Sequence, residues 1–320
     1  MAIIAVDLGG TKVASALMET DGSILFTEKN LLDRRAGEAV GELIVENIAC
    51  QLNQAKMNNI QVTAIGVCIP GSVNPANGCV WAPNIPGWDA FPLRTFIKES
   101  LDDKSIDVLV NNDRICYVYG EMWLGAARDC RNVICIAVGT GIGAGIVIDG
   151  RAIHGADDIV GATGWMALQP PYDHAYDPVG CFEYYASGTG ICNRAKDAVR
   201  QTPDYNGELS RIPVEDITTP DVFAAYENGD SIARQVIAKA VEMWGMGAAN
   251  LVSLLNPELI VWAGGVFGPA KSLIDDIFAE ARKWAQPLNI KTVKFVPSSL
   301  PGNVGLLGAG YLALTRDVAI

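Results

Sequence analysis

The sequence predicts a duplicated α/β fold, two domains of one design, each a sheet with helices packed on it. Three observations point there. The chain has 320 residues, half of them hydrophobic, which is long for a single core and makes two domains the natural expectation. The order strand-strand-strand-helix-strand-helix-strand-helix can be read along it twice, a large-scale echo that outweighs any one assignment. A glycine-rich turn also falls between the first and second strands of each repeat, at Gly9-Gly10-Thr11 and at Gly139-Thr140-Gly141.

The elements follow from the residues in order. Residues 3–7 are an apolar run stopped by glycines, the pattern of a buried strand and a turn. Residues 12–18 and 24–30 flank Glu-Thr-Asp-Gly-Ser, a hairpin signal. Residues 36–55 place Ala36, Ala39, Val40, Leu43, Ile44, Ile48 and Leu52 at helical spacing. A strand over 62–69 ends at Pro70-Gly71. A helix over 91–101, a strand over 108–110 and a helix over 115–125 complete the first repeat. The second begins with strands over 133–138 and 144–148 and a short third strand after Gly150. An irregular stretch follows. A long helix over 231–255 then stops at Asn256-Pro257, before a strand over 259–263, a helix over 269–284, a strand over 293–296 and a closing helix over 305–314. The expected division is a small domain over 1–118, joined by a C-terminal helix over 305–320, and a large domain over 119–304. Two such domains facing each other would set the two glycine turns across one cleft, a preferred place for ligands.

Composition excludes several classes of function. The formal net charge is −12, a field that repels phosphate backbones and argues against nucleic acid as a partner. A small anionic ligand would need local help from helix N-termini, backbone amides and a metal ion. The eight cysteines form no paired C-x-x-C, and Cys68 and Cys135 sit in apolar runs where Cys acts as a small hydrophobe. A reducing, cytoplasmic setting is expected. Met1-Ala-Ile-Ile-Ala-Val-Asp7 has no basic leader region, so no signal peptide is expected. No apolar run approaches the ~18 residues of a membrane span.

The two turns read as phosphate loops. In Asp7-Leu-Gly-Gly-Thr-Lys12, Gly9 and Gly10 let backbone N–H groups approach phosphate oxygens and Thr11 adds a hydroxyl. Lys12 offers positive charge to a transferring phosphoryl group, and Asp7 is placed to hold Mg²⁺ through water. This is not a Walker A motif, whose glycines are wider apart and followed by Lys-Ser/Thr. The alternative is a tight hairpin with an incidental Asp; the matching Gly139, Thr140 and Gly141 at the same place in the second repeat weigh against it. Gly264 and Gly265, in Val261-Trp-Ala-Gly-Gly-Val266, would let a nucleoside lie on backbone, or are ordinary strand-to-helix turn chemistry. Asp113, after Val108-Leu-Val-Asn-Asn112, is a candidate base for an attacking hydroxyl, or simply a helix N-cap. Near its reference pKa of ~3.9 it is a weak base, tolerable where the transition state is loose. Pro70-Gly71 and Trp81-Ala-Pro-Asn-Ile-Pro-Gly-Trp88 are candidate sugar-contacting loops, with Asn84 between two prolines or merely on a proline-rich surface.

Together these segments resemble the ROK family (repressors, open reading frames, kinases). The resemblance rests on both phosphate loops, Asn84-Ile-Pro-Gly-Trp88, Asn112-Asp113, and Asn250-Leu-Val with Leu-Leu-Asn-Pro-Glu-Leu-Ile-Val and Gly-Gly-Val after it. It covers nearly the whole chain in family order. It implies an actin/hexokinase-like (ribonuclease H-like) duplicated fold, and transfer of the ATP γ-phosphate, with Mg²⁺, to a sugar hydroxyl, usually the 6-hydroxyl of a hexose. By the same match Asp113 is the general base. Asn84, Asn112 and Glu183 are sugar contacts, and Gly9 to Lys12, Gly139 to Gly141 and Gly264-Gly265 surround the nucleotide; Gly71 is a sugar-contact candidate from its loop alone. Dimers or tetramers and domain closure on sugar are also implied.

Departures from the family pattern are informative. Where it carries Gly-Glu-x-Gly-His, this chain reads Gly161-Ala162-Thr163-Gly164-Trp165. Two hydrogen-bonding partners for sugar hydroxyls are therefore absent, and the acceptor range is expected to have moved. Trp165 either stacks on a sugar face or plugs vacated volume. Of the family's zinc segment, Cys181 stays and His174 is the only other candidate ligand, so no structural zinc is expected. The leading expectation is a kinase of glucose or a related hexose. The alternatives are a kinase of another sugar or a cyclitol, a silent sugar-binding protein, and a sugar-responsive repressor. The acidic charge and a chain that opens on the first strand of the core argue against the last.

Overall fold

A computed structural model of the chain describes residues 1–300 and 302–316. The first sheet opens with β1 (Ala2–Leu8), β2 (Lys12–Glu19) and β3 (Ile24–Leu31). Ile3, Ile4, Ala5 and Val6 are all buried, as expected of a central strand covered on both faces. α1 (Glu38–Met57) buries the stripe of Val40, Leu43, Ile44 and Ile48. β4 (Val62–Ile69) follows, then a short ribbon of β5 (Ser72–Val73) and β6 (Val80–Trp81), α2 (Leu93–Ser100), β7 (Asp107–Asn112) and α3 (Asp113–Trp123). The strand order is β3-β2-β1-β4-β7. β1, β4 and β7 are parallel, with Asp7 level with Cys68 and Cys68 level with Asn111. Parallel strands finish at one edge of a sheet, so the residues that end these three strands gather there.

The second sheet repeats the plan. β8 (Val133–Val138), β9 (Ile142–Ile148) and β10 (Arg151–Ala152) open it. The stretch read above as irregular contains α4 (Cys181–Ala186), α5 (Gly188–Gln201) and α6 (Thr219–Glu227). α7 (Ser231–Leu255), β11 (Leu259–Ala263), α8 (Ile274–Trp284) and β12 (Lys294–Pro297) complete it, and α9 (Val304–Thr315) follows. The order β10-β9-β8-β11-β12 reproduces that of the first sheet strand for strand. The two glycine turns occupy equivalent places, β1 to β2 and β8 to β9. This is the actin/hexokinase-like duplicated fold. α7 ends where Asn256 takes a left-handed backbone (φ 47°), a conformation Asn tolerates. The helix expected over 269–284 begins instead as a 3₁₀ turn, Ala270–Leu273, before α8.

By packing, the chain forms two bodies. One comprises residues 1–131, 145–160 and the described residues from 299; the other comprises 132–144 and 161–298. The first encloses a core around Val6, Ile44, Ile65, Val67 and Trp88. Its α9 lies directly on the sheet: a Cβ at Gly66 of β4 would fall 1.9 Å from the Ala309 carbonyl oxygen. The expected C-terminal helix ends at Thr315, and residues 317–320 lie outside the described residues. The second body is built on Phe182, Trp244, Trp262 and Phe267, with Trp262 stacked on Phe267 at 4.8 Å between ring centres. Among the described residues no helix is long and apolar enough to cross a membrane.

Candidate active site

In the first body the candidate residues Asp7 and Asp113 sit at the common edge of β1, β4 and β7. Asp7 is half-buried in β1. Burial raises its carboxyl above the ordinary value, against a hydrogen bond from the Cys68 thiol and the charge of Lys12. A Cβ on Gly305, in the first turn of α9, would lie 2.8 Å from both Asp7 carboxylate oxygens. Glycine there lets a helix N-terminus come up to the carboxylate. Asp113 begins α3. The helix cap is its neighbour: Asn112 Oδ1 accepts from the Ile115 N–H at 3.0 Å. That corrects the reading of Asp113 as a possible cap and leaves its carboxylate for other work. Burial raises the Asp113 carboxyl as well; the Arg114 guanidinium opposes this and the Asp7 charge adds to it. A raised carboxyl is a better proton acceptor than one at its reference value.

The three sugar-contact candidates from the first repeat, Asn84, Asn112 and Gly71, lie in the same body as these groups. Asn84 is exposed at the tip of a stiff loop. Ala82 N–H donates to Trp88 O at 2.8 Å, and the Trp88 indole N–H donates to Gly37 O at 2.9 Å. Its Cβ lies 3.8 Å from where a Gly10 side chain would begin, so the loop tip sits on the phosphate turn. Asn112 donates from Nδ2 to Asp158 Oδ2 at 2.9 Å. With Oδ1 spent on the cap, one amide hydrogen remains for a ligand. Gly71 has φ 135°, and a Cβ there would strike the Trp81 carbonyl oxygen at 2.0 Å. Its glycine is required by the close passage of the ribbon, which is a structural duty.

Asp158 escaped the sequence reading. It is 2% exposed, accepts from Asn112, from the Val73 N–H at 2.8 Å and faces His154 Nδ1 at 2.7 Å. Its own carbonyl accepts from Arg114 at 2.9 Å. It is a clasp that ties a distant loop to the residues on either side of Asp113. A single Asp in Asp157-Asp158 carries no local signal of this.

In the second body, Gly139 and Thr140 line a cavity of about 1130 Å³. The Gly139 N–H closes the turn on Gly141 O at 2.9 Å, and its carbonyl accepts from the Gly188 N–H at 2.8 Å. The turn is thereby fastened to the first residue of α5, capped by Ser187 through the Gly190 N–H at 2.9 Å. A glycine turn and a helix N-terminus together form an anion site. The first body closes its turn from the equivalent glycine one residue wider, Gly9 N–H to Lys12 O at 2.9 Å. Gly9 and Gly139 therefore shape their turns, and the amides of Gly10, Thr11 and Thr140 are the ones placed to meet oxygen. Gly265 lines the cavity. Gly264 lies behind it at φ 90°, where a Cβ would strike Val138 O at 2.3 Å.

Thr189, Asn193 and Lys196 of α5 and Phe223 of α6 also line this cavity. Sequence reading missed them because α5 carries a thin apolar stripe, Ile191 and Ala195, among charges. The signals were present: Ser187 before Gly-Thr-Gly, and the capping box Thr218 with Asp221 around Pro220.

Glu183, on α4, accepts from the Ile142 N–H at 2.7 Å. Burial raises its carboxyl, opposed by that bond. A Cβ on Gly141 would lie 2.7 Å, and one on Gly164 2.8 Å, from Glu183 Oε2. The carboxylate thus sits under the phosphate turn. Ala162 precedes a 3₁₀ turn, Thr163–Trp165, and presents no polar atom. Trp165 is 59% exposed, so it is not a plug filling vacated volume. His174 is exposed and paired with Asp177 at 3.2 Å, while Cys181 is buried. Among the described residues no three His, Cys, Asp or Glu side chains are grouped to hold a metal.

Comparison with known proteins agrees with this architecture. Residues 3–316 match the family model described as ROK family. A glucokinase of Halalkalibacterium halodurans is 31% identical over 98% of this chain and 95% of its own. The crystal structure of a ROK hexokinase from Thermus thermophilus superposes with a TM-score of 0.81 at 27% identity, over 99% of both chains. That of a ROK family glucokinase from Streptomyces griseus, in complex with glucose and AMPPNP, does so with a TM-score of 0.76 at 28% identity, over 98% of this chain and 100% of that one.

Proposed function

The chain belongs to the ROK family, and we propose that it is an ATP-dependent sugar kinase acting on glucose or a closely related hexose, at the 6-hydroxyl. The observation that carries the mechanism is Asp113: a half-buried carboxylate, relieved of capping by Asn112, with its carboxyl raised by burial. The acceptor hydroxyl attacks the γ-phosphorus, a new P–O bond forms as the bond to the bridging oxygen breaks, and ADP leaves. The hydroxyl proton passes to Asp113. Asn84, Asn112 and Glu183 orient the sugar. The nucleotide lies in the cavity of Gly139, Thr140 and Gly265, its phosphates toward the N-terminus of α5, and Lys12 offers charge to the transferring group. Asp7 supplies a hard oxygen donor suited to Mg²⁺. The ion would be carried largely by phosphate oxygens, with Asp7 reaching it through water, and would neutralise charge on the transferred group. Trp165 adds a face for sugar stacking where the family carries His, and we expect no structural zinc. A cytoplasmic homo-oligomer, dimer or tetramer, is the assembly we expect, with a small acceptor domain over 1–118 joined by α9 and a large domain over 119–304.

The test is ADP release measured with a panel of hexoses, hexosamines and cyclitols. Glucose or a near relative should drive turnover, and Asp113→Ala should lower kcat by about 10²–10⁴-fold. Full turnover in that variant would overturn the assignment of the base. Silence toward every sugar, with binding intact, would favour a binding protein.

A further inference from the structure

The first body holds a cavity of about 530 Å³ whose lining includes none of Asp7, Asn112 and Asp113. The turn of the β5–β6 ribbon, one face of α2, Asn111 of β7 and His154 enclose it, and its volume falls within the ~300–1,000 Å³ usual for small-molecule sites. We propose that it is a second ligand site, for a polyol phosphate monoester about the size of a hexose phosphate, and that its occupancy is felt at Asn112. The last part rests on the reading of Asn112 as a sugar contact.

Unspent hydrogen-bonding groups converge on the cavity. Asn111 is 2% exposed. Its Oδ1 accepts from the Asn112 N–H at 2.9 Å, which leaves the Nδ2 amino group as the free end. That group has no partner among the described residues, and the side chain lines the cavity. A buried amide without a partner costs free energy until a ligand supplies an acceptor. His154 repeats the pattern: Nδ1 meets Asp158 Oδ1 at 2.7 Å, while Nε2 is buried without a partner. Asp158 keeps a left-handed backbone (φ 55°) at this corner, a conformation uncommon outside glycine and frequent at functional sites.

Helix α2 supplies the charge. Arg94, Thr95 and Lys98 lie on its cavity face. Arg94 forms no hydrogen bond or ion pair among the described residues. A Cβ on Gly78 would lie 4.0 Å from the Arg94 Cδ, so its stem rests near the ribbon turn. Lys98 spends one N–H on Ile106 O and keeps two. Glu99 opposes these two cations from the rim. The Asp158 carboxylate is already met by His154 and by the Asn112 and Val73 N–H groups. The wall is therefore cationic in a chain of net charge −12, and an oxyanion gains charge-assisted hydrogen bonds there.

The remaining lining describes the rest of the ligand. Asn111 Nδ2 donates to a hydroxyl oxygen, and His154 Nε2 accepts from a hydroxyl when Nδ1 carries the ring proton. Among the described residues no Phe, Tyr or Trp lines the cavity, so a nucleobase finds no ring to stack on. A phosphate with a polyol attached satisfies both walls. Two routes then lead to Asn112: Asn111 holds its N–H, and His154 holds the Asp158 carboxylate that holds its Nδ2.

The experiment is hydrogen exchange of the wild type and Arg94→Gln with glucose 6-phosphate, inorganic phosphate and glucose, with thermal melts showing that the variant is folded. Glucose 6-phosphate should slow exchange at 74–78 and 94–99 in the wild type. Its apparent Kd at those segments should rise about tenfold in Arg94→Gln, the worth of one hydrogen bond to a charged group. Protection confined to 82–88 and 112–115, equal protection of 74–78 and 94–99 by glucose, an unchanged Kd in the variant, or inorganic phosphate binding as tightly as glucose 6-phosphate overturns the proposal. Coupling is read as a change in the sugar KM on adding glucose 6-phosphate, at constant ATP KM, that is lost in Arg94→Gln. Protection without that change overturns the coupling to Asn112. The exchange measurements need no turnover, so if no sugar is phosphorylated the kinase reading fails by itself and the site is still decided.

Discussion

Asp113 illustrates how a reactive side chain is kept at a cost. Its carboxyl is raised because burial penalises the charge and Asp7 adds repulsion. The folded protein therefore holds this proton more tightly than the unfolded chain, whose Asp titrates near ~3.9. The linked stability is fully present below that unfolded value and is lost as pH rises through the folded one. At neutral pH the ionised Asp113 destabilises the ligand-free protein. Asp113→Asn should accordingly melt at a higher temperature than the wild type at pH 7.5, with the gain vanishing toward pH 4, while turnover is lost. Thermal melts without ligand at the two pH values check this. A lower melting temperature at pH 7.5 would mean that Arg114 and the neighbouring N–H groups more than repay the burial. Asp113 itself was legible from its place after a strand. Its release from capping was not, because Asn112 and Asp113 have equal claims to that position until the backbone decides between them.

Helices α3 and α9 meet almost backbone to backbone. A Cβ on Gly308 would lie 1.7 Å from the Cys116 carbonyl oxygen, and one on Gly120 would lie 2.8 Å from Val304 O. Neither neighbour can rotate away, since both are main chain. Gly308→Ala must separate the helices and should destabilise the protein by about 1–3 kcal/mol or more. The same displacement acts on Asp113, one turn before Cys116 on α3, so kcat should fall alongside the melting temperature. Denaturant titration and kinetics on the same variant would show it, and a variant with native stability and turnover would contradict the packing described. The strands and long helices were readable because their apolar periods are strong. α4, α5 and α6 were not, since their caps are local signals and their apolar faces are narrow. Asp158 is a stricter case: beside the nearby His154, it holds Asn112 and Val73, 46 and 85 residues away in sequence.

On the proposed reading, the nucleotide contacts and most of the sugar contacts fall on different stretches of chain, with Glu183 the sugar contact on the nucleotide side. Hydrogen exchange gives a direct reading of that division. AMPPNP should slow exchange at 139–141 and along 188–196, whereas glucose should slow it chiefly at 82–88 and 112–115. Protection by glucose confined to the nucleotide segments would contradict the assignment of Asn84 and Asn112. The duplication, the two glycine turns between first and second strands, the acidic charge and the family pattern are properties of residue order, and local rules of turn geometry and apolar period suffice to read them. The turn amides spent on closing the loops, the seating of Gly139 on α5, the raised carboxyls and the exposure of Trp165 depend on atoms from segments far apart in sequence. Burial, close approach and charge interaction exist only once those segments pack.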